Sequence, residues 1–541
     1  MQTPPWLQPS DGAAAALQVA GQHWNYARLF QEGERISRAL AEEGCGLLRL
    51  VAILGNHTAW AYGAIIAAHR LGYGYVPLNP ALPGQRLANM VCQSQTRTIV
   101  VPEEGLTALE GLLLALSTMP EGALPTGEKP PFTWICPDAN GFGDLPNRFP
   151  QHRYIGQEAL DRLAERHPSP IPAPSSLAYL MFTSGSTGQP KGVPVTFANL
   201  TAYVEYWQNH HAIGPGDRVT QPADLSFDLS IHPIFVAWAS GALLCPIPLH
   251  SRLAPAKFIL DTRLTVWVSV PSVAMFLEKV NALQPGVFPS VRLSLFCGEP
   301  LPVRTAEAWR QATPQGRLLN LYGPTEATVA ISAYEWQGSP SSAEARSGIV
   351  PIGWIFATQQ GALLQAGEIL NFHAGEGELC LAGSQVTGGY LHNPEKSAHH
   401  YIRTPATGET LWYRTGDWVQ RREDGCLFFV RRLDHQIKWR GHRIELQEID
   451  AVLRNACGHD FAVAIPWPVG KEGVEGLVAC VAAAGSVDDA AILAACRRAL
   501  PAYMVPTRIA RMPQLPLNAN GKIDREALSH SLTLHEPQGN R

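Results

Sequence analysis

The sequence predicts an α/β protein with a large N-terminal domain followed by a small α+β unit. Three observations predict it. From about residue 48 to 335, short Val/Leu/Ile runs alternate with longer amphipathic segments, the pattern of a largely parallel sheet covered by helices. At 541 residues the chain is too long for one hydrophobic core, so two or more domains are expected. The final stretch then changes character, with strands and helices mixed on a shorter period.

Taken in order, RLVAILGN (49–56) reads as a strand that runs into the helix HTAWAYGAIIAAHRLG, with Asn56 as its N-cap. Residues 118–150 are rich in Pro, Gly and Asn and predict an irregular surface excursion. TVWVSVPS precedes the helix VAMFLEKVNAL, and RLSLFCGEP precedes VRTAEAWRQAT. GCLFFVRR and HQIKWRG read as paired strands. They are followed by the helix IELQEIDAVLRNA, the strands FAVAIPW and GLVACVAAA, and the helix DDAAILAACRRAL. The boundary falls near RRLDH (431–435), giving domains 1–432 and 433–541, and no internal repeat is apparent.

Composition narrows the function classes. Hydrophobic residues make up 46% and charged residues 16%, which is globular, and a net charge of −4 over this length leaves no electrostatic footprint for nucleic acid. The N-terminus has no basic segment before its apolar residues, and no apolar run reaches a membrane span, so a cytoplasmic protein without a membrane partner is expected. Ten scattered cysteines without a CxxC read as reduced core residues. Eighteen histidines form no HExxH cluster, the pairs at 210–211 and 399–400 read as surface residues, and no metal site built from side chains alone is expected.

The chemistry lies in a series of motifs. FTSGSTGQPKGVP (182–194) follows the apolar run LAYLM and packs hydroxyls and glycines around Lys191, a composition that can cradle phosphate. It is not a Walker A loop, because Gln189 and Pro190 separate Gly188 from Lys191, and Gly192 stands where the Mg-binding hydroxyl belongs. In NLYGPTEATVAI (320–331), Tyr322 can stack on a base, Thr325 can bond a phosphate oxygen, and Glu326 can hold a Mg²⁺ that bridges phosphates. LWYRTGDWV (411–419) offers Asp417 to a ribose diol. RRLDHQIKWRGHRIELQEID (431–450) places Arg432 and Asp434 at the domain boundary, and LPLNANGKIDREAL (515–528) carries Lys522 on a turn. Each has an ordinary explanation alone, as a core tyrosine, a turn acid or a solvated charge; their order along one chain does not.

This set resembles the adenylate-forming superfamily, specifically the amino-acid adenylation domains of nonribosomal peptide synthetases and the D-alanine–carrier protein ligases. The resemblance runs from LGYGYVPLNPALPGQR (71–86) to NGKID (520–524). It implies a large adenylate-forming domain, a small mobile C-terminal domain, and a two-step reaction using ATP and Mg²⁺. A carboxylate attacks the α-phosphate to give an acyl-adenylate and pyrophosphate, and a thiol then takes the acyl group. By resemblance, Thr183, Ser184, Ser186 and Thr187 hold the β- and γ-phosphates with Lys191 nearby. Lys522 bridges the substrate carboxylate and the α-phosphate. Asp434 is the hinge, and Gly441 lets the chain pass close to an incoming pantetheine thiol. One departure is Arg431, where the family usually has Gly before the Arg of this motif.

The substrate is addressed by SFDLSIHP (226–233). In amino-acid-activating relatives the acid of this pattern, here Asp228, pairs with the α-ammonium; a buried acid needs such a cation, and fatty or aryl acids bring none. An N-cap for the following helix is its plainer role. The other pocket positions implied are Leu229, His232, Val268, Leu295, Cys297, Leu321, Val329 and Ala330. They are mostly apolar and add no charge, which implies a small or medium neutral amino acid. FCGEPLP (296–302) is similar to the D-alanine ligases, so alanine is the first expectation, and the leucines and Val329 suit proline equally. His232 either bonds a side-chain hydroxyl or sits satisfied behind the pocket. An acyl- or aryl-CoA synthetase of the same fold and a non-catalytic adenylate-binding homologue are the rival readings. Only nineteen residues follow the family's C-terminal lysine, so the expected partner is a holo acyl or peptidyl carrier protein supplied in trans.

Overall fold

The computed structural model of the protein describes residues 3–8, 11–19, 21–120, 131–163, 172–185, 190–338, 348–371, 374–403, 408–434, 436–439, 441–470, 473–483, 487–517 and 523–535. Continuous apolar runs form strands buried on both faces, and these build two sheets. In the first, described strands lie in the order Arg153–Ile155, Thr133–Ile135, Thr98–Val100, Leu50–Leu54, Gly74–Leu78, Leu177–Thr183 and Lys191–Thr196. All run parallel except the last, which returns antiparallel with Thr183 opposite Lys191. In the second, Arg317–Tyr322, Leu293–Cys297, Val266–Ser269, Arg218–Gln221, Leu243–Pro246 and Ala15–Val19 run parallel, with antiparallel strands at both edges.

The helix Ala59–Arg70 is buried from Ala61 to His69, and its tyrosine, isoleucines and alanines join the largest core cluster with residues of both sheets. Each expected strand–helix unit forms: Val266–Ser269 leads into the helix Pro271–Lys279, and Leu293–Cys297 into Val303–Ala312. The C-terminal ends of these parallel strands therefore open on one side, where α/β proteins place their sites. An antiparallel sheet running from Gln359–Gln365 to Leu427–Arg432 completes the large domain.

Beyond it comes a hairpin, Gln436–Trp439 with His442–Glu445, then the helix Leu446–Cys457. A three-stranded sheet follows, built from Ala462–Pro466, Leu477–Ala482 and Arg508–Met512, with the helices Asp489–Ala499 and Arg525–His535. Ile444, Ile449, Leu453, Ala479, Ile492 and Met504 give this smaller α+β domain a core of its own. Among the described residues no helix is long and apolar enough to cross a membrane, and the ten cysteines are free and buried.

The structure corrects four local expectations. Leu427–Arg432 pairs with Trp412–Arg421, not with the hairpin strand Gln436–Trp439, whose partner is His442–Glu445. Asn56 is not the N-cap; Thr58 is, accepting from Ala61 N–H, while Asn56 bonds the Asp224 carboxylate and Leu225 N–H. The Pro/Gly/Asn-rich stretch is not wholly irregular, because Thr133–Ile135 is a parallel strand inside the first sheet. Of the histidine pairs, His211 is buried against Trp207 and His400 is half-buried beside Tyr413.

Candidate active site

The phosphate-loop candidates begin where the strand Leu177–Thr183 ends. Thr183 Oγ1 is buried and has no hydrogen-bond partner among the described residues, while the Ser184 hydroxyl donates to the Arg443 carbonyl oxygen at 2.7 Å and accepts from Glu445 N–H at 3.1 Å. Gly185 N–H donates to Glu448 at 3.1 Å. Ser186 and Thr187 lie outside the described residues, as does Lys522. Lys191 opens the returning strand and is buried, with Nζ 3.3 Å from Glu326 Oε1 and 4.7 Å from the centre of the Tyr390 ring. Burial pushes its ammonium down to about 8 although Glu326 opposes the shift.

The turn after Arg317–Tyr322 brings Tyr322, Thr325 and Glu326 together. A tight approach sets it: a Cβ on Gly323 would lie 2.6 Å from Ala330 Cα. Thr328 and Val329 both take left-handed backbone (φ 57° and 73°), costly for β-branched residues, and Val329 lies on the wall of a cavity. The Tyr322 hydroxyl donates to Asp417 Oδ2 at 2.6 Å, and Thr325 donates to Asp228 Oδ2 at 2.5 Å. Glu326 is completely buried, yet Tyr390 donates to Oε1 at 2.7 Å and Arg443 Nη1 lies 2.9 Å from Oε2. Burial alone would raise this carboxyl; Arg443, Lys191 and Tyr390 together hold it well below the usual range.

Arg432 ends the strand Leu427–Arg432 and holds several groups around it. It reaches Asp417 Oδ1 at 2.8 Å, the Thr415 carbonyl at 3.0 Å, and both carboxylate oxygens of Asp434 at 3.0 and 2.5 Å. Burial works against the Asp434 carboxylate, and Arg432 more than offsets it, lowering its pKa.

Asp228, Leu229, Cys297 and Val329 line a cavity with Tyr322, Thr325, Asp417, Arg432, Lys438, Gly441 and Arg443. Burial raises Asp228 to about 6, with the Thr325 hydroxyl opposing and Glu326 adding to the rise. Asp228 does not cap the helix Ile231–Ala239; it lies in the 3₁₀ turn before it and makes no cap hydrogen bond. Val268, Leu295 and Ala330 are fully buried and do not line the cavity, and Leu321 faces a larger neighbouring space that runs past Tyr322 to Phe429 and Trp439. His232 is also fully buried. Its Nδ1 meets the Tyr203 hydroxyl at 2.8 Å, Nε2 has no partner, and burial pushes it down to about 3.

Sequence reasoning missed several groups that meet here. Arg443 alternates with Gly441 along the hairpin, the period of a strand, which was a usable signal. Tyr390, Lys438, Glu448 and Glu299 had none, because each acts through a contact distant in sequence. Gly441 (φ 79°) donates to Glu299 Oε1 at 2.5 Å, and a Cβ there would lie 2.7 Å from Val270 Cγ1. Glu326 is the candidate carboxylate for a divalent cation, which would have to displace a cationic partner, because Oε1 already meets Tyr390 and Lys191 and Oε2 meets Arg443. Among the described residues no cluster of three or more His, Cys, Asp or Glu exists, so its other ligands would be phosphate oxygens and water, the usual manner for Mg²⁺.

The family described as AMP-binding enzyme matches residues 8–391. The chain is 28% identical over 528 residues to the D-alanine–D-alanyl carrier protein ligase of Bacillus licheniformis, covering 94% of each. It is 31% identical over 479 residues to the L-proline–[L-prolyl-carrier protein] ligase of Pseudomonas fluorescens, covering 86% of each. It spans only 7% to 20% of the length of four curated synthases that it matches at 29–30% identity. Among solved structures, the Vibrio cholerae adenylation domain AlmE in complex with glycyl-adenosine-5'-phosphate superposes with a TM-score of 0.86 at 31% identity, covering 98% of this chain and 96% of that one.

Proposed function

The chain belongs to the AMP-binding enzyme family, and from that premise we propose that it activates a small neutral amino acid as its aminoacyl-adenylate and passes it to the phosphopantetheine thiol of a carrier protein. The observation that carries this reading is Asp228, a carboxylate lining a cavity with Leu229, Cys297 and Val329 on its apolar side and Lys438, Arg443, Arg432 and Asp417 elsewhere on its wall. An α-ammonium satisfies that carboxylate, and the apolar wall accepts a methyl group or a pyrrolidine ring, so alanine comes first and proline next. The two carrier protein ligases similar to this chain along most of their length support the same substrate class.

In the first step a substrate carboxylate oxygen attacks the α-phosphorus of ATP and the bond to pyrophosphate breaks. Lys191 and the buried, unpartnered Thr183 hydroxyl suit the departing phosphates, and Asp417, fixed by Tyr322 and Arg432, suits the ribose. Glu326 and Thr325 would hold Mg²⁺, which when bound supplies positive charge to the phosphate oxygens. In the second step the thiol sulfur attacks the acyl carbon and AMP leaves. We place the domain boundary between 432 and 433, with Asp434 as the hinge, because Arg432 ends the last strand of the large domain and grips both Asp434 oxygens. Lys522 takes the α-phosphate in the first step.

Incubating the protein with ATP, the amino acid and separately supplied holo-carriers, then weighing each carrier intact, tests the reading. A carrier that gains the aminoacyl mass supports it. Efficient loading of free CoA with every carrier untouched contradicts it.

A further inference from the structure

Asp224 and Asp228 are near neighbours in sequence and line the same cleft, but their surroundings differ. Asp228 accepts from the neutral Thr325 hydroxyl at 2.5 Å. Asp224 gathers donors from three places. Asn56 Nδ2 donates to Oδ1 at 2.7 Å, Arg252 Nη2 to the same oxygen at 2.6 Å, and Asn79 Nδ2 to Oδ2 at 3.0 Å. Asn56 and Asn79 follow the strands Leu50–Leu54 and Gly74–Leu78 of the first sheet, whereas Asp224 and Arg252 follow Arg218–Gln221 and Leu243–Pro246 of the second. The carboxylate therefore joins the two sheets at the strand ends where the site lies. Beside it the His57 ring meets the carbonyl oxygens of Ala223 and Ile247 at 2.8 and 3.0 Å, again across the two sheets. Burial works against the Asp224 charge, and Arg252 and Asn56 more than offset it, so its pKa falls below the usual value. From this anchor short bonds lead to Asp228. Asn56 Oδ1 accepts from Leu225 N–H at 2.9 Å, and Phe227 N–H donates to the Asp224 carbonyl oxygen at 2.9 Å. Ser230 N–H then donates to the Phe227 carbonyl oxygen at 2.9 Å, closing the 3₁₀ turn that Asp228 opens.

We propose that Asp224 is a positioning residue for substrate selection. Held by Asn56, Asn79 and Arg252 at the seam of the two sheets, it fixes the segment 224–228 and with it the direction in which the Asp228 carboxylate meets the substrate ammonium. The inference rests on the role given to Asp228 above and adds the group that aims it. Asp224 is not itself the partner of the ammonium, because Arg252 matches its charge and its oxygens already accept three hydrogen bonds. A charge-assisted hydrogen bond depends on distance and direction. A small shift of the Asp228 carboxylate therefore weakens amino acids and leaves acids without the ammonium nearly unaffected.

The test uses the intact protein in ATP–pyrophosphate exchange, with alanine and propionate as probes, and compares Asp224→Asn, Asp228→Asn and the double variant. Asp224→Asn keeps the shape of the side chain but replaces one accepting oxygen by a donor, set against donors on both sides. It should raise KM for alanine roughly 3- to 30-fold, with little change in kcat or in KM for ATP, while propionate loses little. In the Asp228→Asn background the same change should cost almost nothing further, because the group it aims has lost its charge. Asn79→Ala removes one donor and leaves Arg252 in place. It should show the same selective loss on a smaller scale, and it decides the matter if Asp224→Asn does not fold. Equal losses for alanine and propionate, a fall in kcat alone, or losses that add in the double variant overturn the inference while the adenylation reading stands. A wild type that exchanges no better with alanine than with propionate overturns the role of Asp228 and the inference with it.

Discussion

Replacing Asp228 by Asn removes the charge that would meet a substrate ammonium and keeps the shape of the side chain. In the structure the carboxylate accepts a hydrogen bond from Thr325 at 2.5 Å and lines the same cavity as Lys438 and Arg443. A charge-assisted hydrogen bond is worth about 1.5–3 kcal/mol, so kcat/KM for alanine should fall roughly 10- to 150-fold. Propionate, which lacks the ammonium, should lose little. The pH profile gives an independent reading. Burial raises Asp228 to about 6, and only the ionised form binds a cation, so protons compete with the substrate below that pH. Wild-type KM for the amino acid should therefore rise as pH falls through about 6, with no such rise in Asp228→Asn. ATP–pyrophosphate exchange with alanine and propionate across this range measures both. Equal losses for the two acids, or an acid limb that survives in the variant, would refute the reasoning.

Other substitutions separate the remaining roles. Gly441→Leu meets a left-handed φ of 79° and Val270 Cγ1 at 2.7 Å, so pyrophosphate exchange should persist while thioester formation on a holo-carrier collapses. Lys522→Ala should abolish adenylate formation yet still transfer a preformed aminoacyl-adenylate, checked by supplying the adenylate; equal loss of both steps would remove the role given to that lysine. Tyr203→Phe deprives His232 Nδ1 of its partner at 2.8 Å and should cost about 1–3 kcal/mol in denaturant unfolding. Because burial holds His232 down to about 3, that variant should add no new titration near neutral pH.

The strand–helix units were legible because strands buried on both faces read as continuous apolar runs, as in LVAIL and LSLFC, and their helices follow directly. Pairing was less legible. GCLFFVRR and HQIKWRG are neighbours in sequence and both extended, but Leu427–Arg432 pairs with the preceding strand Trp412–Arg421. Asn56 looked like a cap from its neighbours alone; the Asp224 carboxylate and Leu225 N–H, distant in sequence, take its side chain instead. Among the candidate site residues, Asp228, Leu229, Cys297 and Val329 line one cavity with Tyr322, Thr325, Asp417 and Arg432, while His232, Val268, Leu295 and Ala330 are buried and do not line it. The partners of Glu326 were invisible, since Tyr390 and Arg443 reach it from separate parts of the chain and only folding makes them neighbours.

Amino-acid-dependent ATP–pyrophosphate exchange, run across a panel of D- and L-amino acids and their deaminated counterparts, tests the central claim most directly. The account predicts exchange driven by a small neutral amino acid, alanine foremost and proline next, with acids of charged side chain inactive and propionate far weaker than alanine. Exchange driven as well by propionate or an aryl acid as by any amino acid, or no exchange with any of them, would contradict it.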